Sequence, residues 1–84
     1  MSKPFRFRFL CVSAIVKVRK QIGENVRALR KEAGLTQETL AEAAELHPVY
    51  ISQVETGRKA VSVEALWKIS KALRASMADL FHGL

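Results

Sequence analysis

The chain has 84 residues, 49% of them hydrophobic and 26% charged, which allows one domain burying about 60–65% of the surface its unfolded form would expose and excludes two. That balance, with only four Gly and two Pro, also excludes a chain disordered throughout. Fourteen Lys and Arg against eight Asp and Glu leave a net charge of +6, which points to an anionic partner, nucleic acid or a membrane surface, against the plain alternative of a soluble basic domain.

The excess sits at one end. Residues 1–31 carry nine basic residues and one acidic one, whereas residues 32–84 carry five and seven. A single cysteine, Cys11, excludes an internal disulfide and suits a reduced, cytoplasmic protein. The two histidines, His47 and His82, are too far apart in sequence to suggest a metal site, and no residue pattern calls for a cofactor or a small-molecule ligand.

Residues 1–16 read as a basic, aromatic arm. Phe5-Arg6-Phe7-Arg8-Phe9 alternates with period 2, so an extended arm or short strand is expected, with Phe5, Phe7 and Phe9 on one face. A lone strand needs a partner, so it pairs with a second copy or docks on a helix; a frayed tail is the alternative. The uncharged run from Phe9 to Val16 lacks a cleavage signal and is far short of the roughly 20 residues a membrane span needs.

From Ile15 onward the apolar period becomes helical, and residues 17–84 read as one domain. Ile15, Val18, Ile22, Val26, Leu29 and Ala33 recur at spacings of three and four and form one stripe, which Gly34 ends. Thr36 caps a second helix over about 37–43, with Leu40, Ala41 and Ala44 inward; Ala44-Glu45-Leu46 makes the turn. Pro48 opens a third helix, pushing His47 into the extended conformation of a cap, with Ile51 and Val54 as core contacts and Gly57 at its end. Ser62 caps a fourth helix with Leu66, Ile69 and Leu73 buried. Ser76 caps a short fifth, with Asp79 completing a capping box and Leu80 and Phe81 turned inward.

Two short helices joined by a tight turn describe a helix-turn-helix, a pattern that a generic helical bundle shares. The run Ile22-Gly23-Glu24-Asn25-Val26-Arg27-Ala28-Leu29-Arg30, then Leu35-Thr36-Gln37-Glu38, Leu40-Ala41-Glu42, Tyr50-Ile51-Ser52, Glu55, Gly57-Arg58, Ser62, Leu66 through Leu73 and Leu80-Phe81 resembles the phage Cro and repressor type helix-turn-helix family, the XRE family, over residues 19–81. That resemblance implies an all-α, five-helix, repressor-like DNA-binding domain. It further implies a homodimer on a pseudo-palindromic double-stranded DNA operator, with the third helix in the major groove, and a transcription regulator of the repressor or restriction-modification controller kind.

Position by position, the resemblance puts base-reading sites on Pro48, Val49 and Gln53, with Ser52 beside them. The Gln53 amide offers a donor and an acceptor together, as the adenine edge requires, while Pro48 and Val49 suit a thymine methyl. Gln37 matches a position that contacts phosphate and braces the recognition helix; Thr56, Arg58 and Lys59 match further phosphate contacts. His47 replaces the usual Ser or Thr cap and is either a phosphate donor or a solvent-facing cap. Lys20 and Arg27 are the backbone contacts expected from the crowded basic face of the first helix. Trp67, Phe81 and Leu84 are expected at a dimer surface, with Phe5, Phe7 and Phe9 adding to it; for Trp67, core cover is the alternative. Glu45 stands where the family often has Gly, and Arg74 where another Gly is common.

Glu42 and Glu45 form an acidic surface that either meets RNA polymerase or is simply solvated. Ser52, Ser62, Ser70 and the histidines form no nucleophile motif, so catalysis is not expected. A protein-binding adaptor or antitoxin-like partner that keeps the fold without strong DNA binding is the competing class, with a membrane-surface role for the arm behind it.

Overall fold

The computed structural model describes the backbone of residues 4–84 and the side chains of residues 13–84. Within them lie five helices and no strand: α1 (Pro4–Glu32), α2 (Gln37–Ala44), α3 (Pro48–Glu55), α4 (Val63–Leu73) and α5 (Met77–Leu80). Ile22, Val26, Leu40, Ile51, Val54, Leu66, Ile69 and Leu80 are buried together at the centre, so every helix contributes to one core.

The first expectation to change is the arm. Residues 5–9 lie inside α1 and not in a strand. Three alternating phenylalanines give too short a record to fix a period. Pro4 sits at the start of the helix, where its missing N–H costs nothing, and no further Pro or Gly interrupts the chain before Gly23. A helix also satisfies its own backbone groups, which an unpartnered strand does not. The stripe on α1 is likewise only half used. Ile22 and Val26 are buried, whereas Ile15 and Val18 are 48% and 36% exposed, because α1 extends past the helices that would cover them. Ala33 is exposed, and Phe81, expected inward, is 38% exposed just beyond α5, with Leu80 alone taking the core position.

The caps form as the residue types dictate. Thr36, Ser62 and Ser76 accept from the backbone N–H of Thr39, Ala65 and Asp79, and Asp79 returns the favour to Ser76. α1 ends with Gly34 at φ 74, the Leu35 amide donating to the Arg30 carbonyl and the Gly34 amide to that of Lys31. α2 and α4 end the same way without glycine. Glu45 takes φ 58 and Arg74 φ 56, so the usual turn geometry is kept at the cost of a left-handed non-glycine residue. Glu45→Gly is therefore expected to stabilise the fold by about 0.5–1 kcal/mol, seen as a higher urea midpoint at unchanged slope; a lower midpoint would show that the Glu45 side chain matters more than its backbone.

Candidate nucleic-acid interface

α3 is held from three sides. Ile51 and Val54 enter the core, and its carboxyl end lies directly against α1 at Gly23, where an added Cβ would come within 2.4 Å of the Val54 carbonyl oxygen and 2.7 Å of that of Glu55. Glu55, the last residue of α3, is buried and its carboxylate accepts three hydrogen bonds. Arg30 of α1 donates from Nε to Oε2 at 2.6 Å and from Nη2 to Oε1 at 3.1 Å, and Gln37 of α2 donates from Nε2 to Oε1 at 3.0 Å. The same guanidinium donates from Nη1 to the Leu35 carbonyl at 2.9 Å. One buried carboxylate thus ties α1, α2 and α3 together. The hydrogen bonds of Glu55, together with its charge, hold Arg30 above its ordinary pKa against the opposing effect of burial.

Arg30 therefore belongs to the interior, unlike exposed Lys20 and Arg27 on the same helix, and Gln37 braces α3 through Glu55. No local pattern marks a single Glu near a helix end as buried; only its partners in two other helices make it so.

With 51, 54 and 55 turned inward, positions 48, 49, 52 and 53 fall on the opposite side of α3. Val49 is 56% exposed, and Pro48, Ser52 and Gln53 are half-buried. These side chains form one short outward face. At its start, the His47 ring caps the helix, Nδ1 accepting from the Val49 N–H at 3.1 Å. At its end, the Thr56 hydroxyl donates back into α3, lying 3.0 Å from the Ser52 carbonyl and 3.2 Å from that of Gln53.

The flanks are basic. Arg58 and Lys59 are exposed in the loop after α3, and the Lys59 ammonium lies 5.9 Å from the centre of the Tyr50 ring, which keeps it beside the recognition helix. Gly57, at φ 73, packs against Lys20, whose Cα a Cβ there would approach to 3.2 Å. Lys20, Gly23, Arg27 and Arg30 are spaced by three, four and three, so exposed Lys20 and Arg27 lie along the edge of α1 that faces α3. Lys20 thus sits beside the loop that carries Arg58 and Lys59, with Arg27 two turns further along the same edge of α1.

Residues expected at a dimer surface lie elsewhere. Trp67 is 54% exposed on α4; Lys71 lies over its ring at 5.4 Å, and it shares an open hollow with Val63 and Met77. Phe81 and Leu84 are exposed at the carboxyl end, which Asn25 ties to α1 by donating to the carbonyls of Leu80 and His82 at 2.8 Å each. The side chains of Phe5, Phe7 and Phe9 lie outside the described residues. Among the described residues no helix is long and apolar enough to cross a membrane, and no group of His, Cys, Asp and Glu is arranged to hold a metal ion.

The family model described as helix-turn-helix matches residues 26–80, from the middle of α1 to the end of α5. The chain belongs to the helix-turn-helix family of the Cro and repressor type. This regulator is similar to the control protein C.BamHI of Bacillus amyloliquefaciens, at 41% identity over 64 residues covering 75% of this chain and 79% of that one. The restriction-modification controller protein C.AhdI from Aeromonas hydrophila has a similar structure, with a TM-score of 0.74 and 36% identity over 75% of this chain and 96% of that chain. The clp gene regulator ClgR from Corynebacterium glutamicum matches with a TM-score of 0.72 and 43% identity, over 75% and 82%. The molecule is thus a DNA-binding transcriptional regulator of the controller-protein kind.

Proposed function

We propose that the regulator acts in the cytoplasm as a homodimer on a pseudo-palindromic operator, each copy laying α3 in the major groove, and that it controls transcription as a restriction-modification controller does. The observation that carries this reading is the outward face of α3, built of Pro48, Val49, Ser52 and Gln53 and held rigid by the Glu55 network behind it. Gln53 reads an adenine through its amide, Pro48 and Val49 meet thymine methyls, and Ser52 supplies an adaptable hydroxyl. Gln37 has a second Nε2 proton besides the one given to Glu55, and that proton serves a phosphate. Arg58, Lys59, Lys20 and Arg27 supply the sequence-independent attraction. Thr56 joins them by turning its hydroxyl away from α3.

Trp67, Phe81 and Leu84 supply the dimer contact, with residues 1–16 as an arm appended to a 17–84 DNA-binding domain. Two copies related by a twofold axis read half-sites about one helical turn apart. Selection of duplexes from a random pool at near-physiological salt tests the whole reading, with Gln53→Ala run in parallel. A twofold-related motif is expected, blurred by the substitution at one base per half-site, with a loss of about 1–3 kcal/mol at that base. Recovery of no motif from the unsubstituted protein would sink it.

A further inference from the structure

α1 holds different parts of the molecule on its two sides. Gly23 lies against the carboxyl end of α3, whereas Gln21 and Asn25, each about 160° around the helix from it, meet the carboxyl end of the chain. There the Asn25 amide donates both Nδ2 protons, to the Leu80 and His82 carbonyls at 2.8 Å each, while its Oδ1 accepts from Gln21 Nε2 at 3.1 Å. That fixes the amide in one orientation. Gln21 also lies against Gly83, whose backbone takes φ 89 and where an added Cβ would come within 3.0 Å of Gln21 Nε2.

Residues 80–84 need such a hold. α5 has only four residues, too few to persist alone, and the amides of Phe81, His82 and Leu84 donate to Ala78, Asp79 and Phe81. The Leu80 and His82 carbonyls are left to Asn25. Leu80 anchors the segment in the core, while Phe81 and Leu84 on the same segment are exposed.

We propose that Asn25 is a positioning residue for half-site spacing: it fixes the Phe81 and Leu84 contact on one side of α1 while Gly23 fixes α3 on the other. The thickness of one helix then sets how far apart two recognition helices stand, and the separation of the half-sites mirrors that distance. This rests on the homodimer reading, with Phe81 and Leu84 at the contact. Asn25 itself meets no base, so it bears on which separation is bound and not on which bases are read.

The test uses the full chain and its Asn25→Ala and Gln21→Ala variants. Each is measured on duplexes carrying the two selected half-sites at the selected separation and at separations one base pair longer and shorter, and on a duplex with a single half-site. For Asn25→Ala, sedimentation equilibrium is expected to show roughly tenfold weaker dimerisation, and the preference for the selected separation is expected to flatten, with single half-site affinity unchanged. Gln21→Ala, which leaves both carbonyl bonds in place, is expected to shift the same way by less, and it carries the test if Asn25→Ala fails to fold in urea titrations. Unchanged dimerisation and spacing preference would overturn the proposal. So would an equal loss on single and paired half-sites, since Asn25 would then act on α3 or on stability at large. Failure of the homodimer reading shows separately, as a monomer indifferent to separation with Asn25 intact, and it removes the proposal as well.

Discussion

Gly23→Ala is expected to unfold the regulator or leave it barely folded at room temperature. Helix propensity alone argues the other way, since alanine in a helix interior is favoured over glycine by about 1 kcal/mol. The new Cβ, however, would lie 2.4 Å from the Val54 carbonyl oxygen, 2.7 Å from the Glu55 carbonyl oxygen and 2.9 Å from the Glu55 carbonyl carbon. All three are backbone atoms, so no rotamer change relieves the clash; α1 and α3 must separate, disturbing Ile22, Val26, Ile51 and Val54 together. A cost of about 3 kcal/mol or more follows, against a total of roughly 4–12 kcal/mol for a domain of this size. Gly34→Ala is the control. There a Cβ meets nothing within 4 Å and only the left-handed backbone at φ 74 is strained, so a loss near 1 kcal/mol is expected. Urea unfolding of both variants checks the contrast. Equal losses would mean that the α1 to α3 contact relaxes freely, and with it the claim that Gly23 positions the recognition helix.

Much of this architecture was legible in the sequence because much of it is local. Thr36, His47, Ser62 and Ser76 act at their own helix ends, and α2 and α3 lie within a residue of where those signals put them. The turn needed no glycine at 45 because the αL conformation costs a non-glycine residue only about 1–2 kcal/mol. Periodicity was weaker. It placed Ile15 and Val18 on the same face as Ile22 and Val26, correctly as geometry, but a face is buried only where another element lies over it, and α1 outruns its neighbours. Phe5 to Phe9 failed for the opposite reason, since a three-point alternation is too short to compete with a proline-started helix. The two features that hold the recognition helix, Gly23 against the α3 backbone and the Arg30, Glu55 and Gln37 cluster, join residues 18 to 32 positions apart. The sequence shows neither contact, because nothing local distinguishes this glycine or this glutamate from a solvent-facing one. The resemblance to the family marked both positions without saying why they matter.

Arg30→Met is expected to destabilise the protein by about 3–5 kcal/mol, although methionine fills a similar volume and the substitution removes only one ion pair. The size follows from burial. Glu55 is 9% exposed, and without Arg30 its carboxylate keeps a single donor, Gln37, in a site closed to water. An exposed pair would contribute no more than about 1 kcal/mol. The reasoning also predicts that removing both charges is kinder than removing one: Arg30→Met with Glu55→Leu should recover to within about 2 kcal/mol of the unsubstituted protein. The remaining loss reflects the Arg30 bond to the Leu35 carbonyl and the Glu55 bond from Gln37. Because Arg30 is held above its ordinary pKa, its contribution is complete below the unfolded-state value and is lost only as pH rises through the folded one. Both lie beyond the usual alkaline range, so the single-variant penalty should be the same at pH 6 and pH 9 as far as Arg30 is concerned. Chemical denaturation of the two single variants and the double gives the coupling energy directly. If the double variant loses as much as the singles combined, the carboxylate is not stranded by the loss of its partner, and α3 owes its position to the apolar core and Gly23 alone. If it recovers, the operator affinity of the folded double variant then measures what the three-helix tie contributes to presenting Gln53, because the outward face of α3 itself is untouched.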